Sequence, residues 1–266
     1  MSSNLACVGL AVADAPELGA LIDRARAAAR LAGTFDGVEV FRWHDPSGAG
    51  LILGLQGDEV ADLLPVFAST SGCRIAGCHL INRSVASAEI VDDDGEQLTA
   101  MTFEAEQYRQ LKAHGRPVTG AARITALGVS VAIHAGAEAF AASPSSLLSP
   151  GSDPPGPPPA SYVERGWAWP PRLAAESFLS SGVFADPADS TAHAQLSGTI
   201  LRASHRICEL TGQGFSVAAV RTVGFDTDLC LADTEHPIPP EPGSILSGTV
   251  FLTATIGAAE LPVASI

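Results

Sequence analysis

The chain has 266 residues, 46% of them hydrophobic, with 29 Asp and Glu against 15 Lys and Arg for a formal net charge of −14. That composition excludes a disordered chain and supplies one large domain or two ordinary ones. The acidic balance repels phosphate backbones and anionic lipid, so neither nucleic acid nor a membrane is expected as a partner. No apolar run approaches the roughly 20 residues that span a bilayer, and no basic, apolar leader is read at the start. Cys7, Cys73, Cys78, Cys208 and Cys230 are an odd set, read as reduced thiols of a cytoplasmic protein. Fourteen arginines against one lysine, Lys112, in an alanine-rich chain are read as compositional bias.

In chain order, Leu5 to Val12 predicts a strand. Asp14 then offers an N-cap with Pro16 in the first turn and Glu17 three residues on, and Leu18, Leu21, Ile22, Ala25 and Ala29 make the apolar stripe of a helix stopped by Gly33. Val38 to Trp43 and Leu51 to Leu55 read as strands joined by the turn-rich residues 44–50. This β-α-β-β opening, with its turn Asp45-Pro46-Ser47-Gly48, resembles the vicinal-oxygen-chelate (glyoxalase-like) family. Metal-dependent members of that family place a His near the start of the first strand, where this chain has Cys7, so the resemblance brings no metal ligand with it.

Arg74 to Val91 and Glu96 to Thr102 predict strands closed by the tight turn Asp92-Asp93-Asp94-Gly95, whose carboxylates lack the alternate spacing of a calcium loop. Phe103 to Ala113 predicts a short helix ending at Gly115. A long strand follows, with a bend near Ala126 and Leu127 where its apolar phase changes. Residues 144–160 are Pro-rich and read as a linker between an N-terminal unit, 1–143, and a C-terminal one, 161–266. Beyond it come Trp167 and Trp169, a helix over 172–179, and strands at Gly198 to Leu210, Phe215 to Thr222 and Phe225 to Leu231.

The last strand runs through Ser244 to Ile256, with Leu246, Gly248, Val250, Leu252, Ala254 and Ile256 on one dry face. Its Gly243, Ser247 and Gly248 echo Gly115, Thr119 and Gly120 at the same offsets. The fold expected is therefore α+β and β-rich: a β-α-β-β element, then two related small barrel-like units of the oligonucleotide/oligosaccharide-binding (OB) type, separated by the linker.

Motif chemistry is sparse. No nucleophile elbow, phosphate loop, zinc-protease motif or dinucleotide fingerprint is present. Cys73-x4-Cys78-His79 lacks a second cysteine pair, and its two thiols are expected on opposite strand faces, so no metal is assigned. No cofactor is expected. The leading expectation is a non-catalytic cytoplasmic binding or assembly module that self-associates or takes a protein partner. The alternative is a small-molecule-binding protein or enzyme with His205, Arg221, Asp226 and Asp228 at a site in the C-terminal β unit and Trp167 or Trp169 as its lid.

Overall fold

The structure is a computed structural model that describes residues 3–148 and 156–257. It is β-rich, with a four-stranded antiparallel sheet and a nine-stranded mixed sheet. No helix among the described residues is long and apolar enough to cross a membrane.

Residues Ala6–Val8 form a single 3-10 turn closed by Gly9 at φ 71°, not the strand expected over 5–12. Cys7, Val8 and Leu10 are completely buried. A short apolar run has the same composition whether it is a core strand or a core turn, and here the left-handed glycine decides for the turn. Helix α1, Ala15–Ala28, starts as its residues dictate: the Asp14 carboxylate accepts from the Glu17 amide at 2.9 Å, and Glu17 accepts from the Ala13 amide at 2.8 Å. The helix ends before Gly33, because Arg30–Phe35 is strand β1, paired with β2, Val38–His44. Strands β3, Ala49–Gln56, and β4, Glu59–Phe67, complete the small sheet. The sequence reading lacks β4; its Pro65 is tolerated because β4 is an edge strand.

The large sheet is built from β5 (Gly72–Leu80), β6 (Val85–Val91), β7 (Gln97–Ala105), β8 (Val118–His134), β9 (Ser177–Ser180), β10 (His193–Ile207), β11 (Gly214–Thr222), β12 (Phe225–Ala232) and β13 (Ile245–Ile256). Its pairings close two rings. One runs β8, β5, β6, β7, β13; the other runs β13, β10, β11, β12, β8. The two rings share the β8–β13 ladder, which extends from Ile245 opposite His134 to Ile256 opposite Ala122. The third strand of each ring pairs in parallel with the long strand of the other half, β7 with β13 and β12 with β8. The echo between residues 115–126 and 242–256 thus marks equivalent strands of two halves that exchange their last strand.

One apolar cluster lines both rings, including Met101, Phe103, Ile124, Leu196, Val220, Leu229 and Leu252. A second joins α1 and the small sheet, through Leu21, Trp43, Leu51 and Phe67, to Leu127, Val217 and Cys230 on the outer face of the large sheet. Ser247 and Thr253, on the face of β13 read as polar, are buried as well, because that face lies beneath other elements.

Several expectations are corrected in detail. Phe103 and Ala105 belong to β7, and helix α2 begins only at Tyr108 and ends at His114, where Gly115 caps it at φ 66°. No helix occupies 172–179; that stretch ends in β9, and a short helix, α3, Ala137–Ala142, and another, α4, Ala160–Arg165, lie to either side of residues 149–155. Those residues, part of the expected linker 144–160, lie outside the described residues. The bend expected near 126–127 is a bulge at Val129, since Thr249 faces Ser130 while Val250 faces Gly128. Cys73 and Cys78 do not face opposite ways: a register shift between Ile75 and Cys78, with Gly77 at φ 63°, turns both toward the ring core. Burial pushes the Cys78 thiol up to about 12 and Cys73 to about 11, which leaves both inert at neutral pH.

Candidate functional site: an arginine-lined cleft pair

Where β4 leaves the small sheet, residues Phe67 to Ser71 cross the outer face of the large sheet. Asp228 of β12 holds this strap: its Oδ2 accepts from Ser69 Oγ and the Thr70 amide, both at 2.8 Å, and from the Ser71 amide at 3.3 Å. Asp228 is only 4% exposed, so these bonds replace the water it gives up. The strap stands between two clefts, and Phe67, Ala68 and Thr70 line both.

The first cleft, about 420 Å³, has Arg123 and Thr255, direct partners in the β8–β13 ladder, among its lining residues. Arg42 and His44 come from β2 and Glu106 from the end of β7. Glu106 is an ion-pair partner of Arg42 and accepts from the Thr255 hydroxyl. The Arg42 Nε is buried and makes no hydrogen bond in the described structure. Burial lowers the pKa of His44, with Arg42 adding to the effect, so its ring is neutral at pH 7. Arg123 is exposed and has no ion-pair partner among the described residues.

The second cleft, about 320 Å³, lies toward β10 and β11 and is lined by Arg202, Ser204, Arg206, Val217 and Ala219 with Asp228. Arg202 approaches Asp228 Oδ1 at 3.7 Å and donates to Thr70 Oγ1 at 3.3 Å. The Arg206 guanidinium lies 5.2 Å above the Phe67 ring and donates to the Ser47 carbonyl at 2.7 Å. Four of the fourteen arginines thus converge here from β2, β8 and β10. Composition explains their abundance, not their convergence.

The strand turn that positions Arg42 and His44 is itself anchored. Asp45, 7% exposed, accepts from the Ser47 amide at 2.9 Å and from the Glu209 and Leu210 amides at 3.0 and 3.3 Å. Burial alone would raise its pKa; these hydrogen bonds outweigh it and hold the carboxyl below its ordinary value. The Asp45-Pro46-Ser47-Gly48 turn therefore ties the small sheet to the β10–β11 connection.

Of the residues singled out from sequence, Asp228 lies in the cleft pair and the other five lie elsewhere. Arg221 and Asp226 are cross-strand partners, Nε to Oδ1 3.6 Å, and both are about half exposed. His205 pairs with Ser216 and bonds Asp233 Oδ2 at 2.7 Å. Ser216 and Arg221 are five positions apart on β11, so His205 and Arg221 are on opposite faces and about 17 Å apart along the strand. Trp167 and Trp169 pack edge-on against Tyr162, with Arg165 over the Trp167 ring. Arg42 with His44 on β2, and Arg202 with Arg206 on β10, share a strand face, but no spacing relates those pairs to each other or to Glu106 and Arg123.

Among the described residues no group of three or more His, Cys, Asp or Glu could hold a metal ion. No protein-family profile, no curated protein and no solved structure matches the chain.

Proposed function

We propose that the chain is a non-catalytic binding module whose ligand is a small anion held in the cleft pair beside the 67–71 strap. The observation that carries this is Arg123: an exposed guanidinium without an ion-pair partner among the described residues, in a concave site with three further arginines, on a chain of net charge −14. A local cationic site on an acidic body concentrates small anions while the surrounding field turns away polyanions. The other groups in the cleft already serve one another, Glu106 with Arg42 and Asp228 with the strap, which favours holding a ligand over transforming one.

In this reading each ring is an OB-type unit that takes its fifth strand from the other half. The order β5-β6-β7-β13-β8, with α2 between β7 and β8, supports that assignment. The protein is cytoplasmic, consistent with its five free thiols. A second reading, self-association, draws on the outer edge of β9, where Leu179 is 44% exposed and nearby Phe184 75% exposed.

Isothermal titration with inorganic phosphate and with acetate, on wild type and Arg123→Gln, tests the main reading. Saturable binding weakened at least about tenfold in the variant is expected; no binding to either, or binding that ignores Arg123, rejects it. Native mass spectrometry on the same sample reads stoichiometry, and a monomer carrying an anion rejects the self-association reading.

A further inference from the structure

Resting on that reading, we infer that the ligand is a linear molecule with an anionic group at each end, one seated at Arg123 and the other at Arg202, its middle lying across Ala68 and Thr70. The cations are not spread around a single pocket. They form two poles, one on either side of a strap whose residues line both clefts.

The poles differ in what they offer. At the first, Arg42 is occupied by Glu106, which leaves the Arg123 guanidinium as the open donor, with His44 among the other lining residues. At the second, Arg206 is committed to the Ser47 carbonyl and the Phe67 ring, whereas Arg202 is 65% exposed, donates to Thr70 Oγ1 at 3.3 Å and reaches Asp228 only at 3.7 Å. A guanidinium at that distance from a carboxylate already bonded by the strap is free to turn outward to a stronger acceptor. Each pole therefore has one exposed arginine and one arginine fixed in place.

Strand geometry sets the span. Arg123 is two positions from Thr125, which pairs with Asp228 on the next strand. Arg202 lies two ladder steps beyond Asp228, through Ala219, so the α-carbons of Arg123 and Arg202 are on the order of 16 Å apart. Arginines anchored that far apart suit a chain with charged ends better than one compact anion. Its middle would pass the methyl of Ala68 and the hydroxyl of Thr70, a surface suited to a short aliphatic or polyol spacer. Once one end is bound, the other is delivered at high effective concentration, so a bis-anion of matching length gains affinity that a mono-anion cannot reach.

The test is titration calorimetry with α,ω-dicarboxylates from succinate to sebacate, against monocarboxylates of the same lengths and against inorganic phosphate, pyrophosphate and tripolyphosphate. Wild type, Arg123→Gln and Arg202→Gln are compared, each checked for an unchanged circular dichroism spectrum and melting temperature. The expected result is a length optimum in one bis-anion series, at least about 30-fold tighter than its mono-anion, that disappears in either single variant. A mono-anion binding within about threefold of the best bis-anion, or retention of the optimum in Arg202→Gln, overturns the two-pole assignment while leaving the anion site intact. No binding by any member up to about 10 mM overturns both readings together.

Discussion

Thr125 of β8 and Thr253 of β13 are direct partners at the point about which the two halves of the chain exchange. The spacing that relates Gly120 to Gly248 relates these two residues as well. Beyond Thr253 lies Glu104 of β7, and beyond Thr125 lies Asp228 of β12, each in a parallel pairing. A row of four polar side chains, carboxylate, hydroxyl, hydroxyl, carboxylate, therefore crosses the outer face of the shared ladder. Both threonines are almost fully buried, at 3% and 1% exposure.

Because each ring borrows a strand across this row, the halves should not separate. With a protease site inserted between residues 149 and 155, the cut protein is expected to elute as one species and to melt in a single transition. Two independently eluting fragments in native size-exclusion chromatography would contradict the shared ladder.

The two carboxylates of the row are solvated differently. Asp228 receives two amides and a hydroxyl from the strap, whereas Glu104 has the Ser84 hydroxyl at 3.1 Å, and burial, followed by the nearby Asp62, raises its pKa. An acid whose pKa is raised on folding costs stability once pH exceeds its unfolded value of about 4.3. Glu104→Gln should therefore stabilise at pH 8, with the gain vanishing toward pH 4. Urea midpoints across that range measure it.

Asp45 shows the opposite sign. Its pKa is depressed in the folded protein, so its contribution is present above about pH 3.9 and is lost as pH falls through the folded value. Asp45→Asn should cost about 1–3 kcal/mol at pH 7, since the amides of Ser47, Glu209 and Leu210 lose an ionised, buried acceptor. The deficit should narrow below pH 4 in the same denaturation series.

His44 gives the cleft a pH response. Burial and Arg42 keep the free protein's imidazole neutral at pH 7, and a bound anion favours its protonated form. Anion affinity should rise about three- to tenfold from pH 7.5 to 5.5 in wild type, and less in His44→Gln. Titration calorimetry at the two pH values decides it.

Gly248 sits at φ 145°, and a Cβ there would lie 2.2 Å from the Ser130 carbonyl oxygen. Backbone, rather than a flexible side chain, is in the way. Gly248→Ala should cost about 3 kcal/mol or more, or prevent folding, whereas an alanine at Gly243, which meets no neighbour within 4 Å, should cost less despite its φ of 87°. Thermal melts of the two variants make the comparison.

What the sequence could reveal follows from how local each signal is. The α1 cap involves residues 13–17, and the dry face of β13 is a pattern within one strand, so both were legible. The Phe103 region reads as helix because β7 is buried on both faces near Met101 to Phe103, which erases its alternation. Strand β4 is obscured by Pro65, tolerable only on an edge that the sequence does not show. The cleft pair is less legible still. Arg42, Arg123 and Arg202 meet only because β2, β8 and β10 converge, and Asp228 could be flagged solely for its place beside Asp226 on β12.

The exchanged strand also dictates an order of events during synthesis. Strands β5 to β8 leave the ribosome with no partner along the β13 side of β7, since residues 245–256 are made only after all of 106–244. At 5–20 residues per second that wait is on the order of ten seconds. Through it a nascent chain presents a bare, apolar strand edge, so newly made copies crowded on one messenger would be at risk of pairing with each other before either could complete itself.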